Sequence, residues 1–284
     1  LGDLERLKLV LETMPDEDLM QKLEDERGRG RNDYPVRAVW NSILAGVVYQ
    51  HPSIESLRRE LMRNGQLRYQ CGFYNNVPPS WVYSRFLNKI LECPQCIENM
   101  FYELVEELGK ILPGFGSILA IDGKAIQTHA KQRKKEKVLP SDGRRDTDAN
   151  LGVKTYRGVN EDGTAWEKVT SWFGYRLHLI IDATYELPVA FHVTKASNSE
   201  VIEAHKMLGE MSQKQPEILA VCKIFLGDRG YDDSKLIKFL WDEYWIKPVI
   251  DIRNMWKDGE KTRLLGEFTN VVHDYRGNIF CYCP

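Results

Sequence analysis

Long apolar runs are missing from this 284-residue chain: its hydrophobic stretches are short and broken by charge, which excludes an apolar membrane-spanning helix from the reading. The opening LGDLERLKLV lacks the basic-then-apolar order of a signal peptide, so the expected location is cytoplasmic. Six cysteines (Cys71, Cys93, Cys96, Cys222, Cys281, Cys283) are too few for a disulfide framework in a chain of this size, and reduced thiols are expected. There is no large excess of either charge, since the formal net value is -2, and that argues against a uniformly basic DNA-coating protein. No phosphate-binding Walker loop, dinucleotide glycine pattern or Ser/His/Asp signature is present, which removes the commoner nucleotide-binding and acyl-transfer classes. No internal repeat is visible. What remains is ordinary globular composition, 43% hydrophobic and 28% charged, in a chain long enough for two domains.

The balanced total hides local asymmetry. Between Arg27 and Arg68 eight Lys or Arg stand against three acids, and between Lys124 and Arg157 ten stand against four. Either stretch could meet phosphate or form a solvated face.

The first part of the chain has helical periodicity. In VRAVWNSILAGVVY the residues Val36, Val39, Trp40, Ile43, Leu44, Val47 and Val48 share one apolar face, with Arg37 and Asn41 toward solvent. A second helix starts near Pro52, lines Ile54, Leu57 and Leu61 along one face, carries Arg58, Arg59 and Arg63 mainly off it, and stops at Asn64-Gly65. Short, basic, tightly connected helices make a plausible DNA-binding unit. Ser80 to Leu91 and Ile97 to Leu112 extend the series with the stripes Trp81, Phe86, Ile90 and Met100, Leu104, Leu108, and Pro113-Gly114 ends it. The expected division is a helical domain over 1–113 and a second domain over 114–284.

The period then changes to two. GSILAIDGK, the stretch Trp172 to Ile181 with Tyr175, Leu177, Leu179 and Ile181 on one face, and ELPVAFHVTK predict three antiparallel strands. The span Lys124 to Thr170 is polar, basic and glycine-containing, and is expected to be a long loop or partly disordered insertion. After the strands, SNSEVIEAHKMLGEM predicts a helix capped by Ser197 or Ser199. KIFLGD predicts a buried strand, DSKLIKFLWDEY a helix and IKPVIDI another strand. Together these give an α+β or α/β architecture, an all-α region followed by a mixed sheet with flanking helices.

Asp122 in LAIDGK and Asp228 in FLGDRGYDD each follow a short apolar strand and precede glycine and a base. In-line displacement at a phosphodiester uses divalent cations held by shared hard carboxylates, and these two aspartates meet that need if their strands are neighbours. Taken singly, an Asp after a strand is more often a turn or cap residue.

AIDGK, WFGYRLHLIIDATYELPVAFHVTKASNSE and LGDRGYDD, in this order, resemble the catalytic region of DDE-class insertion-sequence transposases. YPVRAVWNSILAGVVYQHPSIESLRREL is similar to the N-terminal domain that accompanies it. The resemblance implies a ribonuclease-H-like fold in which Asp122 and Asp228 are catalytic and bind Mg²⁺, with Mn²⁺ as substitute. It also implies double-stranded DNA, transposon ends and target, as substrate, and at least a homodimer during synapsis. The family's later glutamate has no counterpart after Asp228: Glu243 lies in the helix that directly follows, and Glu260 and Glu267 lie in a polar, loop-like stretch. The expectation is therefore a catalytic domain ending before its third carboxylate, with an insertion starting at about residue 252. If so, a remnant that binds DNA without cutting it, or a stand-alone metal-dependent nuclease, remains an alternative.

Weaker candidates surround this core. Lys124, Arg229 and Tyr231 adjoin the aspartates and could contact phosphate, or be surface charge and a packed ring. His178 and His192 are read as structural rather than metal-binding. Trp256 could stack on an unpaired base or pack in a core. Cys93-Pro-Gln-Cys96 has zinc-ligand spacing without a second pair nearby, and Cys281 with Cys283 could open a cysteine-rich insertion.

Overall fold

The computed structural model describes residues 2–30, 32–130, 146–160, 164–256 and 258–282. Residues 131–145 of the basic span from Lys124 to Arg157, and Cys283, lie outside the described residues. The chain divides into two compact units, Leu1–Leu108 and Gly109–Pro284.

The first unit is helical: α1 (Asp3–Thr13), α2 (Glu17–Arg27), α3 (Val36–Val48), α4 (Ile54–Arg63), α5 (Gly65–Cys71), α6 (Ser80–Leu91) and most of α7 (Pro94–Ile111). Leu7, Leu19, Leu23, Val39, Ala45, Leu57, Leu61, Leu67, Cys71 and Tyr83 form its core. Ser53 caps α4 by accepting from the Ser56 N–H, so Pro52 precedes the cap and does not fill the first turn. Asn64 ends α4 and immediately caps α5 through the Leu67 N–H, so the apparent stop is a corner between two helices.

Some side chains depart from the expected faces. Arg37 is half-buried and pairs with the buried Asp16, which also accepts from the Trp40 indole. Val47 is 73% exposed because α4 crosses α3 at Gly46, where an added Cβ would lie 3.2 Å from Leu57, and Val47 points a third of a turn away. Trp81 is likewise exposed, and the buried face of α6 is Tyr83 and Phe86.

The second unit is built on a mixed sheet. Its strands are β1 (Ile118–Gln127), β2 (Asn150–Val159), β3 (Ala165–Asp182), β4 (Leu187–Lys195), β5 (Ile224–Gly227) and β6 (Lys247–Ile250). The order is β2-β3-β1-β5-β6, with β4 also paired to β3. β3 is antiparallel to β1, β2 and β4, whereas β5 and β6 add in parallel. Helices α8 (Glu200–Lys214), α9 (Pro216–Val221) and α10 (Ser234–Lys238) flank it. α8 starts after Ser199, but no serine side chain caps it, and Ser197 instead accepts from Asn150.

Two expectations change here. The span expected to be a loop contains β2, and β3 starts at Ala165, well before Trp172. The glycines that suggested a loop serve the ladder: Gly152 lies opposite Trp172 and Gly158 opposite Trp166, and a Cβ at either would lie 2.5 Å from the indole folded across it. The polar stretch beyond residue 252 also forms strands, the antiparallel set β7 (Arg263–Leu264), β8 (Val271–His273) and β9 (Ile279–Cys281).

β3 alternates, but its most buried face is the more polar one: Trp172, Arg176, His178, Ile180 and Asp182, while Tyr175, Leu177, Leu179 and Ile181 are only partly covered. α8 packs on β3 and β4, and its Glu200 pairs with Arg176 of that row. Asp182 is fully buried and accepts from the backbone N–H groups of Gly116 (2.7 Å), Thr184 (2.9 Å) and Tyr185 (2.8 Å), tying the entry to β1 to the turn after β3. Among the described residues no helix is long and apolar enough to cross a membrane.

Candidate active site

β1 and β5 run side by side, and Ile121 opposite Gly227 is their last registered pair. Asp122 and Asp228 are the next residues on each strand. β1 continues along β3, pairing Asp122 with Leu179, while the chain leaves β5 at Asp228. The two carboxylates therefore emerge together where parallel strands separate at their C-terminal ends, the usual position of a ligand crevice in such sheets.

Local geometry orients each carboxylate. Asp122 Oδ1 accepts from the Gly123 N–H at 2.7 Å. Asp228 Oδ1 accepts from the Gly230 N–H at 2.7 Å and caps the 3₁₀ turn Arg229–Tyr231. Both side chains are exposed, and Lys154 of β2 brings its ammonium to 4.0 Å from Asp228 Oδ2.

A third carboxylate, which the sequence reading did not single out, lies beside them. Glu200 is the first residue of α8. A Cβ added at Gly123 would lie 2.9 Å from Glu200 Oε1, and one added at Gly230 would lie 3.0 Å from Glu200 Oε2 and 2.7 Å from Asp228 Oδ1. The glycines of the Asp-Gly-Lys and Asp-Arg-Gly motifs thus leave the volume that Glu200 occupies. Arg176 holds Glu200 Oε1 at 2.9 Å from the buried row of β3, lies 5.2 Å from the centre of the Trp172 ring, and donates to the Asn198 carbonyl at 3.4 Å. A cleft of about 480 Å³ opens alongside, lined by Val153, Arg176, Ser199, Glu200, Gly230 and Arg253 among others.

Tyr231 is fully buried, so its ring presents no atom to a DNA backbone. Burial pushes its phenol well above the usual range, and the nearby negative charges of Glu200, Asp122 and Asp228 add to the effect, so the hydroxyl stays protonated beside the carboxylates. Arg229 is paired with Asp251 at 2.5 Å, whereas Lys124 is exposed on β1. In the helical unit Arg58 is engaged by Glu55 at 2.8 Å and by the Pro78 carbonyl at 2.7 Å. Arg59 and Arg63 are exposed, each bonded within its own helix.

Two hard carboxylates on adjacent strand ends, with a third alongside, are a donor set suited to an oxygen-seeking divalent cation. Among the described residues no three His, Cys, Asp or Glu side chains already converge on a single point. Asp122 and Asp228 each direct one oxygen to their own loop, and Glu200 is drawn toward Arg176.

The remaining candidates lie outside the two aspartate loops. His178 is buried with Nε2 2.9 Å from Thr194 Oγ1, and burial lowers its imidazole from 6.5 to about 4. Between those values the unfolded chain takes up a proton that the native state refuses. Stability is therefore expected to fall as pH drops from about 6.5 to about 4 and to gain nothing from this group above that window. His178→Gln is expected to flatten that limb, as read from thermal melts across the same range. His192 lies 3.3 Å from Glu210 and 3.6 Å from Glu203, both on α8. Trp256 packs edge-on to His273, with the Arg263 guanidinium 4.4 Å from its ring centre. Cys93 is buried, Cys96 is partly so, and Cys281 is exposed. Glu243, Glu260 and Glu267 are exposed.

A protein family, the Transposase DDE domain, matches residues 113–276, a span that includes β1, β5, Asp122, Asp228 and Glu200. No curated protein and no solved structure matches the chain. With well over half of its length in that match, and a mixed sheet that brings two strand-end aspartates together within it, this chain belongs to the DDE transposase family.

Proposed function

We propose that the protein is a divalent-cation-dependent transposase that cuts DNA at the ends of an insertion sequence and joins the freed 3′ ends to a target. The observation that carries this reading is the parallel pairing of β1 with β5, which makes Asp122 and Asp228 neighbours where these two central strands separate. Asp122 and Asp228 would hold Mg²⁺ or Mn²⁺. When bound, the metal supplies a polarised attacking oxygen and charge neutralisation at the scissile phosphate.

The chain's own residues do the rest. The rigid strand ends fix the separation of the carboxylates, and orientation of this kind is most of what phosphoryl-transfer catalysis requires. Lys154 and Lys124 place positive charge at the rim of the crevice, where a DNA phosphate would approach. Arg59 and Arg63 of the helical unit are the exposed cations offered to the element ends, while Arg58 serves its own fold. Synapsis of two ends calls for at least two copies of the chain.

The test is cleavage of duplex DNA carrying the element ends. Mg²⁺ or Mn²⁺ is expected to support cleavage and Ca²⁺ binding only. Cutting that ignores the end sequence and never joins strands would point to a simple nuclease instead. Binding is also expected to weaken steeply with salt, with log affinity against log salt falling by about 0.9 per phosphate neutralised. An affinity that hardly changes from low to moderate salt would count against the basic surfaces as the DNA contacts.

A further inference from the structure

We propose that Glu200, which precedes Asp228 and is not the family's later glutamate, is a further carboxylate ligand of the divalent-cation site, acting with Asp122 and Asp228 and held in position by Arg176. The inference rests on the carboxylate-centre reading above and extends it to a residue far in sequence from either aspartate motif.

Three independent features of the structure support it. The first is steric. Glu200 reaches both aspartate loops, one oxygen 2.9 Å from where a Cβ on Gly123 would lie and the other 3.0 Å from where one on Gly230 would lie, so a side chain at either position would press on the carboxylate. A glutamate that served only as partner to Arg176 would need no such clearance in two separate loops. The second is electrostatic. Glu200, Asp122 and Asp228 crowd together while the nearby cations are largely engaged: Arg176 by Glu200 and the Asn198 carbonyl, and Arg253 by the Arg229 and Gly230 carbonyls, with Lys154 reaching only Asp228, at 4.0 Å. Crowded carboxylates repel one another, and a dication relieves that repulsion better than further hydrogen bonds do.

The third is Tyr231. Its hydroxyl is fully buried and hydrogen bonds to no group among the described residues, yet it lies close enough to Glu200, Asp122 and Asp228 to feel their charge. A buried donor left unsatisfied in a folded protein is costly unless something completes its shell. A cation seated among the three carboxylates carries water ligands, and such a water donates to the phenol oxygen, giving the buried hydroxyl a hydrogen-bond partner at that place. Glu200 turns from Arg176 toward the ion by side-chain rotation, which brings together carboxylates that do not converge on their own.

Position in the fold fits this role. The first turn of α8 is anchored against β3 by the Arg176 pair, so Glu200 is presented by a 15-residue helix and not by a mobile loop. Arg176 touches no reacting atom in this scheme and is a positioning residue.

The deciding experiment titrates the full chain with Mn²⁺, following the free ion by electron paramagnetic resonance, for the wild type, Asp122→Asn, Asp228→Asn and Glu200→Gln. Glu200→Gln is expected to weaken the tightest site by about ten-fold or more, as each aspartate variant should. If both aspartate variants lose Mn²⁺ and Glu200→Gln binds as the wild type does, the role given to Glu200 is overturned while the aspartate centre stands. If none of the three variants changes binding, the centre itself is wrong. Should Glu200→Gln fail to fold, Fe²⁺-directed hydroxyl-radical cleavage of the wild-type backbone decides. Cuts beside Glu200 together with cuts at Gly123 and Gly230 support the assignment, and cuts confined to the two aspartate loops overturn it.

Discussion

Replacing either Asp122 or Asp228 by asparagine is expected to lower Mg²⁺-dependent strand cleavage by about three orders of magnitude, the scale of losing one preorganised charge-stabilising group from a reaction centre. Asparagine keeps the size and the loop hydrogen bond from the Gly123 or Gly230 N–H, so the strand ends should stay where they are. It removes the charge that a cation needs. DNA binding measured in Ca²⁺ should therefore fall far less than cleavage measured in Mg²⁺. The comparison is informative because the two effects separate: equal loss of both would indicate a misfolded crevice, and unchanged cleavage would remove the aspartates from the chemistry. A single-turnover assay on pre-bound DNA is the proper readout, since it excludes differences in encounter with substrate.

The largest effect on stability is expected at Asp182. Its carboxylate is the acceptor for three backbone N–H groups, and it is fully buried at the end of β3. Asp182→Ala leaves those donors buried without a partner. At about 1 kcal/mol or more for each unsatisfied group, the loss is about 3 kcal/mol. For a unit of this size that corresponds to a fall of roughly 10 °C in the melting temperature. A fall of only a degree or two would mean that water replaces the carboxylate freely and that the turn is looser than its geometry suggests. Asp182→Asn should lie between, because one amide oxygen keeps part of the acceptor set but the amide group brings donors where donors already point. Asp182 is distinct from the candidate site, so DNA binding by the folded fraction should be preserved.

These two aspartate roles were not equally legible. Asp122 and Asp228 announce themselves because each follows an apolar strand and carries a glycine and a base behind it. Asp182 has no such frame, and nothing in LHLIIDATYEL distinguishes a carboxylate that caps a turn from one in solvent. Glu200 was hidden for another reason. In ASNSEVIEA it reads as an ordinary acid in the first turn of a helix, a favourable place on dipole grounds alone. Only the folded arrangement brings that turn against Gly123 and Gly230. Tyr231, a candidate DNA contact by sequence position, became instead the buried ring between the strand ends and α8.

The β-sheet makes the same point. Alternation along Trp172 to Ile181 correctly groups residues into two faces, because side chains of a strand point to opposite sides in turn. It does not say which face is covered. Hydrophobicity favoured Tyr175, Leu177, Leu179 and Ile181, yet the buried face carries Arg176, His178 and Asp182, which find partners in Glu200 of α8, Thr194 of β4 and the backbone N–H groups of Gly116, Thr184 and Tyr185. Likewise Gly152 and Gly158 suggested a loop until the tryptophans opposite them were in place.

The sequence by itself determined the helical first part, the change from helical to two-residue period and the two strand-end aspartates, since backbone propensity and side-chain alternation act over a few neighbouring residues. Only the tertiary structure decided which strands are neighbours, which face of β3 is buried and that Glu200 lies beside the two aspartate loops. Those depend on contacts between residues far apart in the chain, formed when helix α8 and strand β5 pack onto the antiparallel strands, and no local pattern encodes them.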